Sequence, residues 1–237
     1  MHEANTAIEA AVVDLYHRAE VTRADPRRCI TPLAELLGTY SVTCRELRDL
    51  TSRKAGEELL KQGAIAESIA DAGENPLAGY LVADGVNGAI FVEATDRLTR
   101  RRFSVAHELG HFVLHFRPVF LAHGEALDRP LVASDTFPGR ERDESTPADL
   151  PDGQFGLPPA VAVALPPYRQ MEFEANQFAV ELLMPLPVLW PLVDRYRSTY
   201  RDEDLVWRLA TDLLVSRAAM RWRLRGLGLL STPMGES

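Results

Sequence analysis

The stretch from Ser104 to His115 constrains this chain more than any other, because it contains the pattern His-Glu-x-x-His. Residues four positions apart lie on the same face of an α-helix, one turn and roughly 6 Å apart along the axis. His107 and His111 can therefore present two imidazole nitrogens to one cation. Glu108 is rotated from His107 by about 100° and leans toward the open side of that cation, where a water molecule would bind.

These three side chains favour zinc as the cation. Imidazole suits zinc, and a catalytic zinc keeps three protein ligands and one water molecule. The metal lowers the pKa of that water toward about 7, and a neighbouring carboxylate can take the proton as the oxygen attacks a carbonyl group. The pattern therefore predicts metal-assisted hydrolysis, with Glu108 as the general base.

The residues around the histidines are typical of a helix. Ser104 is a suitable N-cap, and Pro118 is expected to end the helix. The alternative is a core helix whose two histidines are hydrogen-bonded and bind no metal. Apolar residues recur at helical spacing, namely Val105, Leu109, Phe112, Val113 and Phe116.

A catalytic zinc site needs a third ligand from elsewhere in the chain. A third histidine on a glycine turn after His111 is excluded, because Leu114 and Arg117 occupy the positions of the required glycine and histidine. A downstream glutamate is therefore the natural choice. His115, one turn further on, is expected to pack beside the site or to orient a ligand, and not to bind the metal itself.

The stretch from Met171 to Pro185 is predicted to be a helix that a proline ends. Small alanines would let one face of it lie close to the histidine helix, and an amide there can hydrogen-bond the far nitrogen of a ligating histidine. Glu174 and Glu181 point away from that face. The face itself consists of Glu172, Ala175, Asn176 and Ala179.

Residues 117–167 contain nine of the sixteen prolines and an acidic cluster, so we expect little regular structure there. This insertion helps to separate His111 from Glu172 by 61 positions. It is either a lid over the cleft, an inhibitory arm or a disordered segment. It also contains three other acids that can replace Glu172 as the third ligand: Glu125, Glu141 and Glu144.

Two runs of residues together resemble the ImmA/IrrE-type metallo-endopeptidases. One is Arg102–His111, which ends in Ala-His-Glu-Leu-Gly-His, and the other is Ala175–Pro185, which reads Ala-Asn-x-Phe-Ala-x-x-Leu-Leu-Met-Pro. The resemblance covers about residues 75–230. It implies an intracellular bacterial or phage-related zinc peptidase with a thermolysin-like, gluzincin-type site, which cleaves transcriptional repressors to release stress or mobile-element genes.

The same resemblance implies the roles of individual residues. His107 and His111 take two ligand positions, and Glu108 takes the position of the general base. The family keeps its acidic ligand three residues before Ala175, which favours Glu172 over Glu174 as the third ligand. Zincin sites also use a Tyr, His or Arg donor for the oxyanion, and four candidates remain open: His123, Tyr168, Arg169 and Tyr196.

The predicted fold class is α+β, a mostly helical zincin-like domain with a small β-sheet or hairpin. Residues 1–74 form an N-terminal helical region packed on the catalytic domain, with helices at about 5–22, 32–37 and 43–61. Residues 75–200 form the catalytic core, in which Gly79–Ala83 and Ala89–Glu93 make a hairpin. The exposed edge of that hairpin either holds an extended substrate by strand addition or is purely structural. Residues 201–237 form a helix-turn-helix-like segment.

The net charge of −8 argues against a general nucleic-acid binder. Ser216–Gly226 is nevertheless a locally basic helix, for which a weak contact with DNA or with an acidic protein face remains open. We find no signal sequence and no apolar run long enough to span a membrane. Cys29 and Cys44 lack metal-type spacing and are expected to be buried and reduced, so we expect a cytoplasmic protein.

The sequence thus predicts a zinc-dependent endopeptidase that cleaves a helix-turn-helix transcriptional repressor at a specific site. The alternative is a regulatory module that keeps zinc for structure or sensing, binds DNA or protein, and does not cleave. Glu108 favours the peptidase, since a purely structural zinc site closes with four ligands and needs no base. The oligomeric state is not predicted.

Overall fold

In the computed structural model, the described residues are 2–23, 29–63, 74–124, 127, 130–136 and 164–230. The chain is α+β, as the sequence predicts. The strands are β1 (Val42–Leu47), β2 (Leu77–Asp84), β3 (Asn87–Glu93) and β4 (Leu131–Thr136). The helices are α1 (His2–Arg18), α2 (Leu33–Gly38), α3 (Ser52–Lys61), α4 (Leu98–His111), α5 (Arg117–His123), α6 (Tyr168–Leu183), α7 (Leu186–Arg197), α8 (Asp202–Leu213) and α9 (Arg217–Gly226), with a π-helical turn at Phe112–Phe116.

The four strands form one mixed sheet in the order β1-β3-β2-β4. The predicted hairpin is confirmed: β2 and β3 are antiparallel, and Gly85 takes a positive φ of 64° in the turn that joins them. β1 pairs parallel to β3, and β4 pairs antiparallel to β2. Both hairpin strands are therefore paired on both sides, so the hypothesis that the hairpin itself offers an exposed edge is wrong.

The two faces of the sheet are covered by different helices. On one face, α4 packs against β2, β3 and β4, and α6 packs against α4. The other face carries α3 and a smaller apolar cluster that includes Leu50, Ala55, Tyr80 and Phe91. Because β2 is buried along Leu77–Ala83, it is the central strand on which α4 rests.

The sequence suggested one helix over residues 43–61, and this prediction is wrong. The first part of this segment is β1, which is an edge strand with an exposed or half-exposed side chain at every position after Val42. Such a strand lacks the apolar alternation that identifies a half-buried strand, so its polar residues resembled a charged helix. Its last part, α3, is a helix that Thr51 caps by accepting a hydrogen bond from the Lys54 N–H.

Pro118 does not end the histidine helix. The backbone N–H of Arg117 donates to the carbonyl of Phe112, five residues back, and the chain then continues as α5. A proline has no N–H, and its ring collides with the carbonyl four residues earlier in a regular α-helix. The wider π turn before Pro118 accommodates it. Ser104 is also not an N-cap, because α4 begins at Leu98 and the Ser104 side chain is fully buried inside it.

Two further expectations are corrected. The region 117–167 contains regular structure, namely α5 and β4. Cys29 and Cys44 are both free thiols, but Cys44 is exposed.

In the part of the chain that the structure describes, no single helix is both long and apolar enough to cross a membrane. Helices α6 and α7 pass that test of length and composition only as a pair, and the pair is bent by 56°.

Candidate metal centre

Small side chains bring the two site-bearing helices, α4 and α6, into close contact. A Cβ atom added to Gly110 on α4 would lie 3.2 Å from the Cα of Ala175 on α6. Ala175 and Ala179 are completely buried, as the predicted face of small residues requires. The backbones therefore approach closely enough for short side chains on both helices to meet.

The structure brings together the three predicted ligands at this contact. The Nε2 atoms of His107 and His111 are 3.1 Å apart. Oε2 of Glu172 lies 3.4 Å from Nε2 of His107, and Oε1 lies 3.0 Å from Nε2 of His111. Among the described residues, these three form a group of donors that can hold a metal ion.

The donor set fits a zinc ion. Zinc takes imidazole nitrogen and carboxylate oxygen at about 2.0–2.2 Å, which places neighbouring ligand atoms of a tetrahedron roughly 3.3–3.5 Å apart. The three measured separations, 3.0, 3.1 and 3.4 Å, lie within a few tenths of an ångström of that value. Three ligands also leave a fourth tetrahedral position, as a catalytic site requires.

Burial determines the charges in this cluster. The His111 imidazole is completely buried, which lowers its pKa to about 4 and keeps it neutral. Burial alone would raise the pKa of the Glu172 carboxyl, but its interactions with His107 and His111 outweigh burial and hold the pKa well below its usual range. An ionised carboxylate thus lies beside two imidazole nitrogens, and a divalent cation would be stabilised by this set of donors.

The imidazole of His107 has a hydrogen-bond partner on α6. Nδ1 of His107 lies 3.2 Å from Oδ1 of Asn176, so it carries the proton and leaves Nε2 with its lone pair. This is the contact that the sequence predicted for the amide.

His111 meets a second pair of side chains. Its Nδ1 lies 3.3 Å from Nδ1 of His115, whose Nε2 lies 3.0 Å from Oε2 of Glu174. His115 is therefore not part of the ligand group, in agreement with its expected place beside the site. Burial is the main cause that lowers the pKa of His115. Sequence reasoning gave no role to Glu174, because no spacing rule links it to a histidine 59 positions earlier.

The Glu108 side chain, next in sequence to the ligand His107, is completely buried against strand β2. A Cβ atom added to Gly79 of β2 would lie only 2.5 Å from Oε1 of Glu108, so any larger residue at 79 would displace the carboxylate. Sequence reasoning did not identify Gly79. The available signal was a lone glycine in an otherwise apolar strand, which often marks a close approach.

The four oxyanion candidates occupy different places. Tyr168 and Arg169 lie in the first turn of α6, and Tyr168 shares a face with Glu172, four positions later. Tyr196 donates its hydroxyl to Asp212 of α8. His123 is the last residue of α5. The acids proposed as alternative third ligands, Glu125, Glu141 and Glu144, lie outside the described residues, as does most of the insertion.

The Peptidase M78 family model, described as the IrrE N-terminal-like domain, matches residues 67–130 and 160–225, which include all four predicted site residues. Among curated proteins, none matches the chain.

Proposed function

The chain belongs to the Peptidase M78 family, and from this premise we propose that it is a zinc-dependent endopeptidase that cleaves a transcriptional repressor. The observation that carries the proposal is the convergence of His107, His111 and Glu172, with a buried glutamate next to the first ligand in sequence. A structural zinc site has four protein ligands and needs no such base.

The side chains divide the chemistry among them. His107, His111 and Glu172 would hold the ion through two imidazole nitrogens and a carboxylate. When bound, zinc supplies Lewis acidity, which polarises the scissile carbonyl group and makes water a nucleophile near neutral pH. The Glu108 carboxylate takes a proton from the attacking water and passes it to the leaving amine.

Family resemblance supports a helix-turn-helix repressor as the substrate and the bacterial cytoplasm as the location. The sheet supports an extended conformation of the bound segment. Among the described strands, β4 is the edge strand on the side of β2, and α4 packs against it. A peptide that adds to this edge would therefore lie beside the helix that carries His107.

The C-terminal helices give little support to the alternative of a DNA-binding module. Helices α8 and α9 are joined by a short turn with Leu214 in the left-handed region, and Ser216 caps α9 as predicted. Two of the arginines on α9 are engaged within the chain, Arg221 with Glu203 and Arg223 with Glu181. These internal ion pairs reduce the positive charge that α9 can offer to phosphate groups.

The Glu108→Gln protein tests the proposal. It keeps the size of the side chain and removes the base, so it should bind one zinc ion per chain and lose about 10²- to 10⁴-fold in the rate of repressor cleavage. Zinc content is measured by elemental analysis, and cleavage by mass spectrometry against candidate repressors. Glu57→Gln, on an exposed position of α3, is the matched control. If Glu108→Gln cleaved repressors at the same rate as the parent, the peptidase proposal would be wrong.

A further inference from the structure

The two histidines of the site are oriented by unlike partners. His107 meets the neutral amide of Asn176, whereas His111 meets a second imidazole that in turn meets a carboxylate. The second arrangement is buried: the side chains of His111 and His115 are each 1 % exposed, and that of Glu174 is 17 % exposed. Water therefore has little access to exchange partners with these nitrogens.

The hydrogen-bond roles in this series follow from the carboxylate. An ionised carboxylate only accepts, so Nε2 of His115, 3.0 Å from Oε2 of Glu174, carries a proton. In a neutral imidazole the other nitrogen is then an acceptor, so Nδ1 of His115 has a lone pair. That lone pair faces Nδ1 of His111 at 3.3 Å, which must be the donor. When Glu172 and Nε2 of His111 share a cation, this series of hydrogen bonds would keep the proton of His111 on Nδ1 and leave the Nε2 lone pair for the ion.

We propose that His115 and Glu174 are positioning residues, which hold His111 in the tautomer that can bind the metal ion. The inference rests on the proposed zinc site, and it extends that site by two residues. With the opposite tautomer, Nε2 of His111 would carry a proton and could not bind a cation.

The surroundings of the pair support this role. Oε1 of Glu174 accepts a hydrogen bond from Nε2 of Gln170, at 2.8 Å, which fixes the carboxylate and leaves Oε2 for His115. His115 has both nitrogens engaged, so neither is left to act as a fourth ligand. A side chain that only filled space would need no such sequence of donors and acceptors.

Two variants test the proposal by affinity for zinc. His115→Phe keeps an aromatic ring and removes the acceptor, and Glu174→Gln keeps the size of the side chain and removes the charge that defines the direction of the bonds. Loss of an outer partner of a ligating histidine typically lowers metal affinity by 10- to 100-fold, and we expect this range for His115→Phe. We expect a smaller loss for Glu174→Gln, because the amide oxygen can still accept. Competition with a chromophoric chelator measures the affinity.

A second measurement separates positioning from packing. Nitrogen-15 NMR of the zinc-free full-length chain reports which imidazole nitrogen of His111 is protonated, and a Glu172→Ala background removes the carboxylate that competes for Nε2. On that background the proton should be on Nδ1, and adding His115→Phe should shift the population toward Nε2. His115→Gln restores an acceptor and should recover part of the affinity. Asn176→Ala is the matched control: it should weaken zinc binding through His107 and leave the His111 tautomer unchanged.

The results can overturn the inference without touching the proposed function. If His115→Phe and Glu174→Gln both bind zinc within threefold of the parent, with the His111 tautomer unchanged, His115 and Glu174 are structural only. Glu174→Gln keeps this test decisive if His115→Phe does not fold. Conversely, a parent that binds zinc but cleaves no better than Glu108→Gln ends the peptidase proposal and leaves the affinity result standing.

Discussion

Two of the three glutamates of helix α6, Glu172 and Glu181, lie on opposite faces, and each lies between two nitrogen-bearing side chains. Glu172 and Glu181 are nine positions apart, which is about half a turn beyond two full turns. Their side chains are similarly buried, 16 % and 12 % exposed. Glu172 contacts two histidines, whereas Glu181 is ion-paired with Arg23 and Arg223.

The residues that contact each glutamate, and not the glutamates themselves, decide which cluster can bind a divalent cation. A guanidinium is always charged, so two permanent cations already neutralise the carboxylate of Glu181. Burial lowers the pKa of His111 and keeps that imidazole neutral, so Glu172 does not face a permanent cation there. Of these two clusters, that of Glu172 is the one that can accept a divalent cation. That of Glu181 holds α6 to α9 and to the segment after α1.

Removing the charge of Glu172 should have the largest effect on function. In Glu172→Gln we expect zinc affinity to fall by more than about 100-fold, beyond the 10- to 100-fold range of outer-shell changes, because a neutral amide is a poor ligand. Peptidase activity should be lost, and the free energy of unfolding of the zinc-free protein should stay within about 1 kcal/mol of that of the parent. Chelator competition and urea unfolding measure these quantities.

A Glu172→Gln protein that binds zinc within tenfold of the parent would contradict the comparison. The third ligand would then have to come from another acid, and alanine variants of Glu125, Glu141 and Glu144 would identify it.

The corresponding change at the other glutamate should reverse the pattern. Glu181→Gln leaves two largely buried guanidinium groups without their carboxylate, which costs about 3 kcal/mol in the free energy of unfolding. Zinc affinity should stay within threefold of the parent. Glu9→Gln is the control, since Glu9 contacts Arg23 at 3.7 Å from an exposed position and should change stability by about 0.5 kcal/mol or less. A drop in zinc affinity without a loss of stability would refute the structural role of Glu181.

The contrast between these clusters also explains which parts of the site could be predicted. The pair His107 and His111 is local, and helix geometry alone places both on one face. Glu172 was chosen because the family resemblance places an acidic ligand three residues before Ala175, and the small residues Ala175 and Ala179 on its face agreed with close packing against another helix. The partners of Glu181 lie 158 and 42 positions away in sequence, and no spacing rule connects such distances.

The same reasoning applies to the fold. The hairpin was predicted because β2 and β3 are apolar and are joined by a glycine turn. Strand β1 was missed because its side chains after Val42 are at least partly exposed, and the continuation past Pro118 was missed because a π turn leaves no mark in the apolar pattern.

A further buried carboxylate, Glu108, extends the comparison of the two glutamates. It lies against Gly79, which has no side chain. The methyl group in Gly79→Ala would lie 2.5 Å from Oε1 of Glu108, closer than van der Waals contact permits. The carboxylate must shift, and a displacement of roughly 1 Å in a catalytic group can cost about 100-fold in rate. We expect kcat/KM to fall by about 10- to 100-fold while zinc affinity stays within threefold, since the three atoms nearest to the added methyl group all belong to Glu108. Gly38→Ala is the control, because no heavy atom lies within 4 Å of its added Cβ. Unchanged kcat/KM in Gly79→Ala would mean that Glu108 acts from a position other than the one seen beside β2.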